Sequence, residues 1–173
     1  MTDITELFAL GCRVGDKLVA TGQTVAVAES SAGGLISAAL LARAGASAYY
    51  FGGAVLYTRR SRRLLTTLTT DDLAGMRSSS PPYALLLAQH QRARFKANWG
   101  LAETGAAGPT GNTYGDPAGH SCLAVDGPVT RALTLRTGGD DRQANMLAFA
   151  LAALGLLDEA LDESLVAAGL NAE

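Results

Sequence analysis

Two adjacent serines, Ser30 and Ser31, stand between an acid and a pair of glycines in the run Glu29-Ser30-Ser31-Ala32-Gly33-Gly34. A short apolar stretch, residues 24–28, precedes this run, and an apolar pattern of helical spacing, residues 35–44, follows it. The serines therefore fall at a strand-to-helix junction. Consecutive glycines at a helix start leave backbone N–H groups exposed, and the helix dipole favours an anion there. A serine so placed can act as a nucleophile while the same amides hold an oxyanion. It can equally be the helix N-cap, with the glycines allowing tight packing. The local pattern leaves both readings open.

Two further segments carry chemistry. Tyr57 closes a second apolar run and is followed by Arg59, Arg60, Arg62 and Arg63. Ligands of α/β sheets sit at strand ends, and one or two arginines there can clamp a phosphate bidentately. Four cannot all face one way, so the others belong to a solvated helix face. The third segment, Thr104-Gly105-Ala106-Ala107-Gly108-Pro109-Thr110-Gly111-Asn112, runs on through Tyr114, Asp116, Pro117 and Gly119. Its glycines let backbone approach a ligand closely. It is neither a P-loop, since no Gly-Lys-Ser/Thr follows, nor a dinucleotide fingerprint. His120 directly follows this loop, and a Ser30–His120–Asp116 triad is one arrangement the order of residues permits. His90, the other histidine, falls within a helix pattern. Histidines, cysteines and patterned carboxylates are too few for a metal site, and no cofactor is expected.

The elements that must position these residues follow from periodicity and punctuation. Asp3 and Glu6 have the spacing of a capping box, and Ile4, Leu7, Phe8, Val14 and Leu18 continue as a helix that Gly22 stops. Strands are expected at 24–28, 52–57 and 99–104, a short helical turn at 71–76, and a helix from Ser80-Pro81 to about Asn98. A hairpin joins 120–125 to 129–136 across Asp126-Gly127-Pro128. Asp140 or Asp141 caps a last helix that buries Met146, Leu147, Ala150, Leu151 and Leu154. Helices interleaved with strands predict an α/β fold, and the hairpin makes the sheet mixed.

Composition narrows the function classes. The chain has 173 residues, 48% of them hydrophobic and 17% charged, and a net charge of −2. That length suits one domain spanning residues 1–173, with enough apolar content for a sizeable core. The near-neutral balance speaks against a nucleic-acid partner. Cys12 and Cys122 are too few and too far apart for a disulfide scaffold. No signal-peptide pattern and no run of about eighteen apolar residues is read, so a cytoplasmic protein without a membrane partner is expected. Abundant alanine and glycine suit helices lying close on a sheet.

Taken in order, these segments resemble the CinA C-terminal domain family, the nicotinamide-nucleotide amidohydrolases. Members read Ala-Glu-Ser-Cys-Thr-Gly-Gly where this chain has Ala28-Glu29-Ser30-Ser31-Ala32-Gly33-Gly34. Their Gly-Gly-(apolar)-Tyr segment is matched by Gly52, Gly53 and Tyr57. Their Thr-Gly-x-Ala-Gly-Pro-x-Gly motif is matched by Thr104, Gly105, Ala107, Gly108, Pro109 and Gly111. A later Pro-x-Gly falls on Pro117 and Gly119, and a Gly-Asp-Arg resembles the stretch from Gly139 to Arg142. The similarity covers residues 5–158.

The resemblance implies a three-layer α/β/α sandwich with a mixed, mainly parallel sheet, assembled as a homodimer or higher homo-oligomer. It also implies metal-independent hydrolysis of the carboxamide of nicotinamide mononucleotide, giving nicotinate mononucleotide and ammonia. Ser30 then falls on the nucleophile and Tyr57 on the tyrosine beside it. Substrate binding falls on Glu29, Ser31, Gly33, Gly34, Thr104, Gly105, Ala107, Gly108, Asn112 and Arg142. One departure bears on catalysis. The family places a lysine five residues after the tyrosine, to activate the serine, and here that position is Arg62. A guanidinium keeps its proton at any accessible pH and cannot accept the serine's. The cysteine and threonine after the serine are Ser31 and Ala32, and a Ser-Glu-Glu segment is replaced by Ser80-Pro81-Pro82. The alternative to an active amidase is therefore a catalytically weak or inactive nucleotide-binding homologue.

Overall fold

A computed structural model describes residues 3–169. The elements follow in the order α1 (Ile4–Thr21), β1 (Val25–Glu29), α2 (Leu35–Leu41), β2 (Tyr50–Val55), α3 (Arg59–Leu65), α4 (Pro81–Phe95), β3 (Trp99–Ala106), β4 (His120–Asp126), β5 (Arg131–Arg136) and α5 (Arg142–Ala167). The five strands lie in the order β2-β1-β3-β4-β5. The β1 strand pairs in parallel with both β2 and β3, whereas β4 is antiparallel to β3 and to β5. Four strands thus run one way and β4 alone runs against them.

The sheet separates two apolar layers by the period-two alternation of its strands. Val25, Val27, Leu101, Leu123 and Val125 face α1, α2 and α5, together with Phe149, Leu154 and Leu157 of α5. Ala28, Ala102, Cys122 and Ala124 face α4, meeting Tyr83, Ala84, Leu87 and Ala88. This second layer is built almost wholly of small side chains, so α4 lies close on the sheet. A Cβ at Gly100 would come within 1.9 Å of the Ala88 carbonyl oxygen. That contact gives physical content to the alanine and glycine richness of the chain.

Local signals explain most boundaries. Asp3 caps α1 through the Thr5 N–H at 3.3 Å, and Gly22 ends it in the left-handed conformation. Asp141 caps α5 through the N–H groups of Gln143 and Ala144, both at 3.0 Å. Thr58 and Ser61 form a reciprocal capping box at the start of α3. The strands β2 and β3 are shifted against the sequence reading, because β2 pairs from Tyr50 and β3 continues to Ala106 against His120. The buried stripe of α5 is also rotated. Phe149, Ala153 and Leu157 are fully buried, whereas Met146, Leu147 and Leu151 lie at its margin. By length and composition α5 could cross a membrane, yet 56% of its most apolar window is buried inside the domain. It is the core helix of this layer.

Candidate functional site

The C-terminal ends of β1, β2 and β3 and the loop after β3 converge on a cavity of about 300 Å³. Ser30 and Ser31 follow β1, Tyr57 follows β2, and Thr104, Gly105, Ala107 and Gly108 close β3 and open the loop. Arg62 from α3, Asn112 from the loop and Arg142 from the first turn of α5 complete the set of expected residues in its wall. This is where open α/β sheets place their ligands.

Glu29, Gly33 and Gly34 do not line it. The Glu29 side chain is fully buried and accepts from the N–H groups of Gly34 (2.9 Å), Ile36 (3.1 Å) and Ser37 (2.8 Å), and from the Ser37 hydroxyl (2.5 Å). It therefore satisfies the opening turn of α2, the work otherwise done by an N-cap side chain. Gly33 donates its N–H to the Ser30 carbonyl at 3.1 Å, and Gly34 donates to Glu29, so neither amide is free for an anion. Their φ values of +68° and +100° explain why glycine stands at both. Neither serine caps α2, and among the described residues no side chain hydrogen-bonds the Ser30 hydroxyl.

Glu103 is the buried centre beneath the serines, and sequence reading missed it. Its two oxygens accept from the N–H groups of Ser30 (3.0 Å) and Ala32 (2.8 Å) and from the hydroxyls of Ser31 (2.5 Å) and Ser121 (3.0 Å). The side chain is wholly buried, and burial pushes its carboxyl above the ordinary value despite those four donors. Its signal was a single charge inside the otherwise uncharged run 99–104. Because Ser31 serves this carboxylate, its hydroxyl is engaged in holding the serine turn. Glu103→Ala should leave two buried amides without acceptors and cost about 3 kcal/mol or more in chemical denaturation. Glu103→Gln can accept both amides with one oxygen while the serine hydroxyls turn to accept its NH2, so its cost should be smaller. The native state holds its proton longer than the unfolded one, so wild-type stability should fall as pH rises through the raised pKa. The glutamine variant should lack that slope.

The loop from residue 107 to 119 is pinned rather than loose. Arg77 grips Asp116 with two bonds of 2.6 and 3.0 Å, holding that carboxylate below its ordinary range. Asn112 donates to Asp116 at 2.9 Å and accepts from the N–H groups of Tyr114 and Asp116, so its side chain shapes the loop. Arg142 joins loop to strand end, donating to the Gly108 carbonyl at 2.7 Å and to the Tyr57 hydroxyl at 2.9 Å. His120 is buried with Nε2 2.9 Å from the Ser79 carbonyl and 3.6 Å from Asp116, and it does not line the cavity. No Ser30–His120–Asp116 triad is assembled.

On the remaining wall, Arg62 donates to the Tyr83 hydroxyl and Arg59 to the Tyr114 hydroxyl, each at 3.3 Å. Arg60 and Arg63 are exposed and do not line the cavity. Among the described residues three arginines and no carboxylate line it, so its wall carries positive charge. Among the described residues no group of three or more His, Cys, Asp or Glu side chains could hold a metal ion.

Comparison with known proteins agrees with this architecture. The family model for the CinA C-terminal domain matches residues 8–161. A CinA-like protein of Gloeobacter violaceus is 40% identical over 122 residues, covering 70% of this chain and 29% of that protein. Another, from an Anaeromyxobacter species, is 37% identical over 145 residues, covering 84% of this chain and 35% of its own length. The chain thus spans about a third of these curated relatives. Among solved structures, a CinA superfamily protein of Klebsiella pneumoniae superposes with a TM-score of 0.82 at 28% identity, covering 90% of this chain and 97% of that one. The competence/damage inducible protein CihA of Agrobacterium tumefaciens does so with a TM-score of 0.79 at 34% identity, covering 90% and 95%. A family match over residues 8–161, carried on the same α/β fold, places the chain in the CinA family as a CinA C-terminal domain.

Proposed function

We propose that this domain binds a phosphorylated pyridine nucleotide and acts on its carboxamide as an amidohydrolase of the nicotinamide mononucleotide deamidase type. The observation that carries the reading is the cavity at the strand ends, lined by Ser30 with three arginines and, among the described residues, by no carboxylate and with no hydrogen-bond partner on the Ser30 hydroxyl. In this account Ser30 attacks the amide carbon, Thr104 and Tyr57 orient the ring and sugar, and the guanidiniums take the phosphate. Ammonia leaves with the serine's proton as the acyl–Ser30 ester forms, and water then hydrolyses that ester to release nicotinate mononucleotide and the free serine.

A second reading is favoured by what the wall lacks. Among the described residues no histidine, lysine or carboxylate lines the cavity to accept the serine proton, and Arg62 stands in the position of the family's lysine. The domain on this reading is a nucleotide binder whose hydrolysis is weak. Calorimetric binding of nicotinamide mononucleotide run beside ammonia release separates the two. Binding with turnover selects the amidase, binding without turnover selects the weak homologue, and no binding removes both. We also propose the homodimer implied by the family resemblance; light scattering that returns a single-chain mass would refute it.

A further inference from the structure

A second cavity, also of about 300 Å³, adjoins the first and shares with it Arg59, Arg62, Ser78, Tyr83 and Tyr114. Its own additions are Leu73, Met76 and Arg77. The shared arginines are held by phenols: Arg59 donates to Tyr114 and Arg62 to Tyr83, each at 3.3 Å, with the Arg62 guanidinium carbon 5.9 Å from the Tyr83 ring centre. Among the described residues neither has a carboxylate partner, in contrast to Arg77, which is neutralised by Asp116. Each guanidinium has five N–H groups and uses one here, so both keep charge and donors for a ligand. The Tyr114 phenol, held below its ordinary value by Ser78 and by Arg59 and Arg62, reports the same cationic surroundings.

Beyond the arginines the wall turns apolar. Met76 is 39% exposed, beside Leu73 and the two tyrosine rings, a surface suited to a flat apolar group rather than to more charge. Ligand pockets run from about 300 to 1,000 Å³, so either cavity alone is at the lower limit. A mononucleotide would leave the second one unused.

We infer that the two cavities form one bipartite site for a dinucleotide-type ligand, with its phosphates on Arg59 and Arg62 and its second nucleoside against Leu73 and Met76. This rests on the reading that the Ser30 cavity takes a pyridine nucleotide, and it extends that ligand through its phosphate. No bond is made or broken in the second cavity.

The test is titration calorimetry of the wild type and of Met76→Asn with nicotinamide mononucleotide and with nicotinamide adenine dinucleotide. The dinucleotide should bind the wild type on the order of tenfold more tightly than the mononucleotide. Met76→Asn removes the most exposed apolar side chain of that wall without adding charge and should shrink that ratio several-fold. A mononucleotide that binds as tightly as the dinucleotide, or more so, overturns the bipartite site and leaves the pyridine-nucleotide reading standing. A ratio unchanged by Met76→Asn also overturns it, since the second nucleoside then lies elsewhere. If neither ligand binds, the underlying reading fails and the inference with it.

Discussion

Arg62→Lys is expected to raise ammonia release from nicotinamide mononucleotide by roughly ten- to a hundredfold, with a rate that climbs with pH. Arg62 lies half-buried in the cavity wall, with Arg59 on the same helix face. A guanidinium there can bind an anion but can take no proton from Ser30. A lysine in the same place loses affinity for its proton through partial burial and through the neighbouring positive charge. Its neutral fraction, and so the rate, should increase as pH passes that lowered pKa. The recovery is expected to be partial, because a general base contributes about 10²–10⁴-fold when ideally placed and this wall has settled around arginine. Initial rates across a pH series check it. Normal ligand binding with no gain at any pH would mean that the missing lysine is not what limits turnover.

Ser30→Ala should abolish amide hydrolysis, by about a thousandfold or more, both in the wild type and on top of Arg62→Lys. The fold should be unaffected. Among the described residues only the Ser30 main chain is engaged, donating its N–H to Glu103 and accepting at its carbonyl from Gly33, and both bonds survive the substitution. The opening turn of α2 is satisfied by Glu29, so the loss of about 1 kcal/mol typical of a deleted N-cap should not appear in the melting curve. Turnover that persists in the alanine variant would remove Ser30 from the chemistry. A destabilisation of cap size would show that its hydroxyl has a structural role.

The order of helices and strands was legible because period and punctuation agreed. Gly22, Ser80-Pro81 and Asp141 each mark a boundary by a local mechanism that the folded chain uses. The location of the cavity was legible for a similar reason, since Ser30, Tyr57 and Thr104 each lie within two residues of a strand's C-terminal end. Roles within the junction were harder to read. Consecutive glycines at a helix start suggest an anion cradle, but whether their amides are free depends on where Glu29 turns. It turns back onto α2, and only the folded chain shows this. Glu103 was overlooked because its partners are remote: Ser30, Ser31 and Ala32 lie more than seventy residues away. Tyr83 and Tyr114, which hold the two arginines, come from α4 and the loop, and no spacing rule links them to α3.

A crystal of the domain soaked with nicotinamide mononucleotide would show whether the carboxamide lies against Ser30. The carboxamide carbon should lie about 3–3.5 Å from the Ser30 hydroxyl oxygen, with the phosphate on the arginine wall and the ligand against the 107–119 loop. Ligand density away from Ser30 and that loop would contradict this placement.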